Sequence, residues 1–223
     1  MATSDPRSAE SAAIKLHHRL EPEDQARADF YALLARLYAE APDAALLRAI
    51  TGAPPLGVAA HSDDADESAA SLPAAWDVLR AASEAMDADA ATDEYNNLFV
   101  GVGKSEINLH ASHWLTGFMM EKPLADVRAT LARLGLGRRA GVSLVEDHLA
   151  ALLETMRILI AGQEERRPAS LAEQQELFEQ HISGWVFKCC NAILDSPVAN
   201  YYRRVAQFTI IFLALERDSF AID

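Results

Sequence analysis

Apolar residues recur along this chain at helical spacing, and nearly every long stretch repeats that pattern. Phe30, Leu33, Leu34 and Leu37 share one face of a helix expected to begin at Asp24. A second helix is predicted after Pro42, and a third around Leu72, Trp76 and Leu79. Thr92 or Asp93 is placed to cap a helix holding Tyr95, Leu98 and Phe99, with Gly101 and Gly103 ending it. Pro123 opens another; Leu124, Val127, Leu131 and Leu134 form its apolar face, and Gly135 closes it.

Ser143-Leu144-Val145-Glu146 has the spacing of a capping box, ahead of a wide stripe made by Leu149, Leu152, Leu153, Met156, Leu159 and Ile160. Gly162 stops that helix. A second such box, Ser170 to Glu173, predicts a helix running to about Leu194, and Asp195-Ser196-Pro197 breaks it. The last helix carries Val198, Tyr201, Tyr202, Val205, Phe208, Phe212 and Leu215. Its middle is apolar on nearly all sides, which predicts the central helix of the core. No strand pair and no internal repeat stand out. The expected fold is an all-α bundle, a single helical domain over residues 24–223 behind a flexible N-terminal tail, residues 1–23. His17 and His18 lie in that tail, and residues 51–71, with the acidic run Asp63 to Glu67, read as a surface loop.

Composition narrows the function. Half of the 223 residues are hydrophobic, with only ten Gly and nine Pro. A net charge of −13 opposes phosphate backbones, so no nucleic-acid partner is expected, whereas a basic partner is attracted. The two cysteines, Cys189 and Cys190, are adjacent and form no Cys-x-x-Cys site, which fits a reducing compartment. No signal peptide or twin arginine opens the sequence. The longest apolar run is far short of the roughly 20 residues that span a bilayer, so a cytoplasmic protein without stable membrane insertion is expected.

Catalytic motifs are incomplete. Gly103-Lys104-Ser105 resembles the end of a phosphate-binding loop, but Leu98 stands where the first glycine is required. His110 and His113 lack a placed third ligand, so no metal and no cofactor are expected. Asp147 and His148 are predicted in the first turn of a helix, where the dipole favours the acid. No nucleophile elbow accompanies them. The alternative reading is a metal- or nucleotide-dependent hydrolase using Asp147, His148 and the loop Gly101 to Ser105. The preferred one is a non-catalytic recognition surface.

That surface resembles a family. Glu94-Tyr95 through Leu98-Phe99-Val100-Gly101-Val102-Gly103 is similar to the Glu-Tyr/Phe-x-x-Leu-Phe-x-Gly-Pro-Gly segment of the TorD/DmsD/NarJ chaperones. Glu146-Asp147-His148-Leu149 matches their Glu-Asp-His element. Glu121 to Val127, the Phe178, His181 and Trp185 helix, and Tyr201-Tyr202 also resemble family segments, in the family's order. Val102 and Gly184 stand where the family has proline. The likeness spans residues 25–218. It implies roughly ten helices, and binding of the twin-arginine signal peptide or N-terminal segment of a molybdenum-cofactor oxidoreductase. It implies that the apoenzyme is held until cofactor insertion and export, by a monomer or a helix-exchanged homodimer. The expected peptide groove comprises Trp76, Glu94, Tyr95, Leu98, Phe99, Glu146, Asp147 and His148, hinged at Gly101 and Gly103.

Overall fold

The computed structural model describes residues 20–57, 71–101, 105–139, 141–163 and 166–222. His17, His18, the acidic run 63–67 and Gly103 lie outside them. The described residues form ten α-helices: α1 Pro22–Ala39, α2 Ala44–Gly52, α3 Leu72–Ala85, α4 Ala88–Tyr95, α5 Ala111–Thr116, α6 Lys122–Arg133, α7 Leu149–Ala161, α8 Leu171–His181, α9 Ser183–Asp195 and α10 Tyr201–Phe220. A π-helical turn, Asn96–Val100, extends α4. No strand occurs among them, only two isolated bridges. The all-α expectation therefore holds.

Burial explains the arrangement. In α1, Tyr31, Leu34, Ala35 and Tyr38 are buried at positions that repeat every three or four residues. They pack along α7, whose buried residues nearly encircle it. The closing helix α10 touches α1, α3, α4, α8 and α9, as a central helix should. One contiguous cluster of buried apolar side chains runs from Ala28 to Phe220. No helix of the described residues is long and apolar enough to cross a membrane.

Several boundaries differ from the sequence pattern, each for a local reason. Asp87, not Thr92 or Asp93, caps α4, its carboxylate accepting from Asp89 and Ala90. Thr92 instead donates back to the Ala88 carbonyl inside the helix. The Ser143–Glu146 box is unused, because α7 starts at Leu149 with His148 as its N-cap. Asp147 and His148 thus precede the helix rather than forming its first turn. The segment before α7 is held by backbone bonds instead: Leu149 N–H to Leu109 O at 2.7 Å and Ala111 N–H to Asp147 O at 2.9 Å. The Ser170–Glu173 box is formed as expected, but its helix breaks at Ile182, so α8 and α9 are separate. α10 starts at Tyr201, so Val198 precedes it and is exposed, and Leu215, within it, also faces outward. Gly162 ends α7 at φ +72°, where an added Cβ would sit 2.5 Å from the Arg166 carbonyl oxygen. Only glycine fits there.

Candidate functional site

The expected groove residues fall into separate sets. Tyr95, Phe99, Tyr38 and Tyr202 pack their rings together, edge to face except for the tilted Tyr95–Tyr202 pair, with centroids 5.0–6.3 Å apart. The Tyr95 hydroxyl donates to the Ala39 carbonyl at 2.9 Å. Leu98 is fully buried. Trp76 is buried in another aromatic group, against Phe30 and Phe208, and its indole N–H donates to the Pro54 carbonyl. Glu94 is buried and turned toward α10, where its carboxylate accepts from the backbone N–H groups of Asn200, Tyr201 and Tyr202 at 2.8–3.0 Å. A side chain 106 residues upstream therefore caps the central helix.

Asp147 and His148 sit at the junction of α5 and α7. Asp147 Oδ2 accepts from the Ser112 N–H at 3.0 Å and the Ser112 hydroxyl at 2.6 Å. Both residues are buried. His148 Nδ1 accepts the Ala150 N–H at 3.1 Å, which puts the neutral ring's proton on Nε2. The His110 and His148 rings meet edge-on at 4.8 Å. No hydrogen bond or ring contact joins Asp147 or His148 to Tyr95 or Phe99 among the described residues. The link is the chain between them: Ile107 N–H bonds Leu98 O, and Leu109 O receives Leu149 N–H. Glu146, its side chain largely enclosed, meets Arg128 at 2.9 Å and Arg138 at 3.7 Å. Burial raises its acid pKa, but the two guanidiniums outweigh that and hold it below the usual range.

Among the described residues, Asp147, His148 and Ser112 do not form a nucleophile–base pair. The Ser112 hydroxyl is enclosed and donates to a carboxylate rather than to an imidazole. His148 commits the nitrogen that a general base needs to its own helix. Among the described residues no three His, Cys, Asp or Glu side chains are placed to hold a metal.

Burial and, secondarily, the neighbouring His110 push the His148 pKa from 6.5 to about 3. Below about pH 6.5 the unfolded chain binds a proton that the folded ring refuses, so protonation favours unfolding. The stability is fully present above pH 6.5 and is lost as pH falls toward 3, by about 1 kcal/mol per unit. His110 and His181 are shifted down mainly by burial and steepen the loss. Urea midpoints that stay flat between about pH 7 and pH 5 would refute this.

The residues that sequence reading missed follow Gly117. Phe118, Met119 and Met120 form an exposed strap between α5 and α6, with Phe118 70% and Met120 72% exposed. Leu115, also exposed, adjoins it. The strap is held in shape: Gly117 closes α5 at φ +84°, the Phe118 N–H donates to the Thr116 hydroxyl, and the Asn108 amide meets the Met119 sulfur at 3.2 Å. Leu115 and Pro123, near its two ends, line a groove of about 640 Å³ between α5, α6 and α8, which Asp126, Arg133 and Glu176 also line, Arg133 pairing with Glu176 at 2.7 Å. The available signal was three apolar residues between a helix-ending glycine and a helix-starting proline, too short for an element of their own.

Comparison with known proteins follows the same lines. The family described as nitrate reductase delta subunit matches residues 65–191. The crystal structure of a candidate redox enzyme maturation protein from Archaeoglobus fulgidus superimposes at a TM-score of 0.51 and 15% identity, over 88% of this chain and 99% of that one. That likeness shows a shared helical fold. No curated protein matches the chain. The family match takes in 127 of 223 residues, including both the Glu94–Gly101 and Glu146–Leu149 elements. On that match the chain belongs to the nitrate reductase delta subunit family, the NarJ/TorD-like chaperones of redox-enzyme maturation.

Proposed function

We propose that the protein captures the N-terminal segment of a molybdenum-cofactor oxidoreductase, such as a twin-arginine signal peptide. It holds the apoenzyme in the cytoplasm until cofactor insertion and export, and performs no catalysis itself. The supporting observation is the Leu115–Phe118–Met119–Met120 strap. Large apolar side chains grouped on the surface and held by hydrogen bonds mark a contact site. Methionines adapt to varied apolar partners, which suits a chaperone. A twin-arginine peptide carries a basic part and an apolar part. The apolar part packs on the strap, and the net charge of −13 draws the basic part.

Within this reading Asp147, His148 and Ser112 act as positioning residues. They fix the start of α5 and hence the strap beyond its end. Tyr95, Leu98 and Phe99 frame the loop that leads to Asn108 and the Met119 sulfur. A direct Asp147–arginine contact requires its carboxylate to turn from Ser112, so Asp147→Asn reports on either role.

The test is calorimetric titration of twin-arginine signal peptides from formate dehydrogenase, sulfoxide or amine-oxide reductase and nitrate reductase. One class binds. Phe118→Ser with Met120→Ser weakens it by about tenfold or more, because the peptide's apolar contact is lost. Both sites are exposed, so helicity and melting stay unchanged. Asp147→Asn weakens binding by about 1–3 kcal/mol. The reading fails if no peptide binds, or if the strap variant binds like wild type.

A further inference from the structure

A second groove, of about 570 Å³, runs between α1, α7 and the segment leading to Glu146. Its floor is alanine: Ala32, Ala35 and Ala39 from α1 face Ala150 and Ala151 from α7. Such small side chains let a flat or slender ligand approach two helix backbones, in a space of ordinary ligand size. Leu131, Leu144 and Ile158 complete an apolar lining.

The charged residues lining it run against the rest of the molecule. Arg36, Arg138, Arg139 and Arg157 line the groove, against Glu146 and Glu154. In a chain of net charge −13, this concavity holds twice as many guanidiniums as carboxylates. Glu146 is shared between Arg128 and Arg138, and Glu154 pairs with Arg157 at 2.7 Å. Arg36 is paired with Glu40. Arg139 has no ion-pair partner among the described residues. A guanidinium left free beside an apolar floor is suited to a carboxylate or phosphate, through paired N–H donors.

We propose that this groove binds a small amphiphilic anion, with an apolar or aromatic body on the alanine floor and a phosphate or carboxylate at Arg139. The same guanidiniums repel a basic peptide, so the groove and the strap take different partners.

The probe is 2-naphthyl phosphate, titrated calorimetrically into the full chain, with 2-naphthoate, 2-naphthol and inorganic phosphate alongside. At least one of the two naphthyl anions binds one to one with a Kd below about 100 µM. The stronger of them separates a phosphate from a carboxylate ligand. 2-Naphthol and inorganic phosphate, each lacking half of the recognised chemistry, bind about tenfold or more weakly. Arg139→Gln weakens the anion about fivefold or more without moving the melting temperature, because Arg139 is exposed. Ala151→Leu removes binding by filling the floor. Strap variants leave anion binding intact, and Arg139→Gln leaves peptide binding intact, so either reading can fail alone. The proposal is overturned if neither naphthyl anion binds, if 2-naphthol binds as tightly as they do, or if Arg139→Gln binds like wild type.

Discussion

Glu94→Ala is expected to lower the unfolding free energy by about 3–4 kcal/mol, a large share of what such a domain has. The carboxylate accepts three backbone N–H groups at the start of α10, and those of Tyr201 and Tyr202 belong to buried residues. Alanine leaves these donors without an acceptor and removes a negative charge from the helix's positive end. Glu94→Gln keeps one acceptor oxygen but aims an amide NH2 at a donor, so its cost is smaller, about 1–2 kcal/mol. Urea unfolding followed by circular dichroism reads both. A loss below about 1 kcal/mol for alanine would mean that water replaces the carboxylate and that the cap is not structural. The peptide titration separates this from a binding role, since a purely capping residue lowers stability without changing affinity in the folded fraction.

Arg27→Ala should cost a comparable amount, about 3–5 kcal/mol, for a different reason. Arg27 grips Glu216 through two hydrogen bonds of 2.8 and 2.9 Å, reaches Gln174 at 3.1 Å and Asp24 at 2.9 Å, and lies over the Phe220 ring. It ties α1 to α8 and α10. Removing it leaves the Glu216 side chain, only 5% exposed, as an uncompensated buried charge. The pair Arg27→Met with Glu216→Leu removes both charges, and most of the loss should return. If the double variant is as unstable as Arg27→Ala, the damage lies in packing rather than in the stranded carboxylate.

Helices were legible where a local signal acts alone. The Pro123 start, the Gly135 and Gly162 ends and the Ser170–Glu173 box all form as read, because each is satisfied within one turn of chain. Legibility stopped where distant backbone competes. Ser143 and Glu146 have the right spacing, but Leu109 and Ala111 claim the backbone of residues 147–149, and Arg128 claims Glu146. The break at Ile182 carries no proline, and the nearest glycine, Gly184, already lies inside α9. The candidate site shows the same limit. Glu94 and Asp147 were visible as acids within motifs, but their partners, Tyr201 and Ser112, are 107 and 35 residues away. The exposed strap has no period at all, so a search for amphipathic faces passes over it.

Cys189 and Cys190 are the chain's two thiols, and both are fully buried. Cys189 contacts the Asn108 carbonyl, and Cys190 lies 3.8 Å from the Tyr38 hydroxyl. Burial, partly offset by the Tyr38 hydrogen bond, lifts the Cys190 pKa to about 12. The folded state therefore offers an alkylating reagent almost no thiolate and no path to it. Covalent labelling of this protein is then a clock for the opening of its core. The moment at which α9 leaves Tyr38 and Asn108 is recorded without any engineered probe.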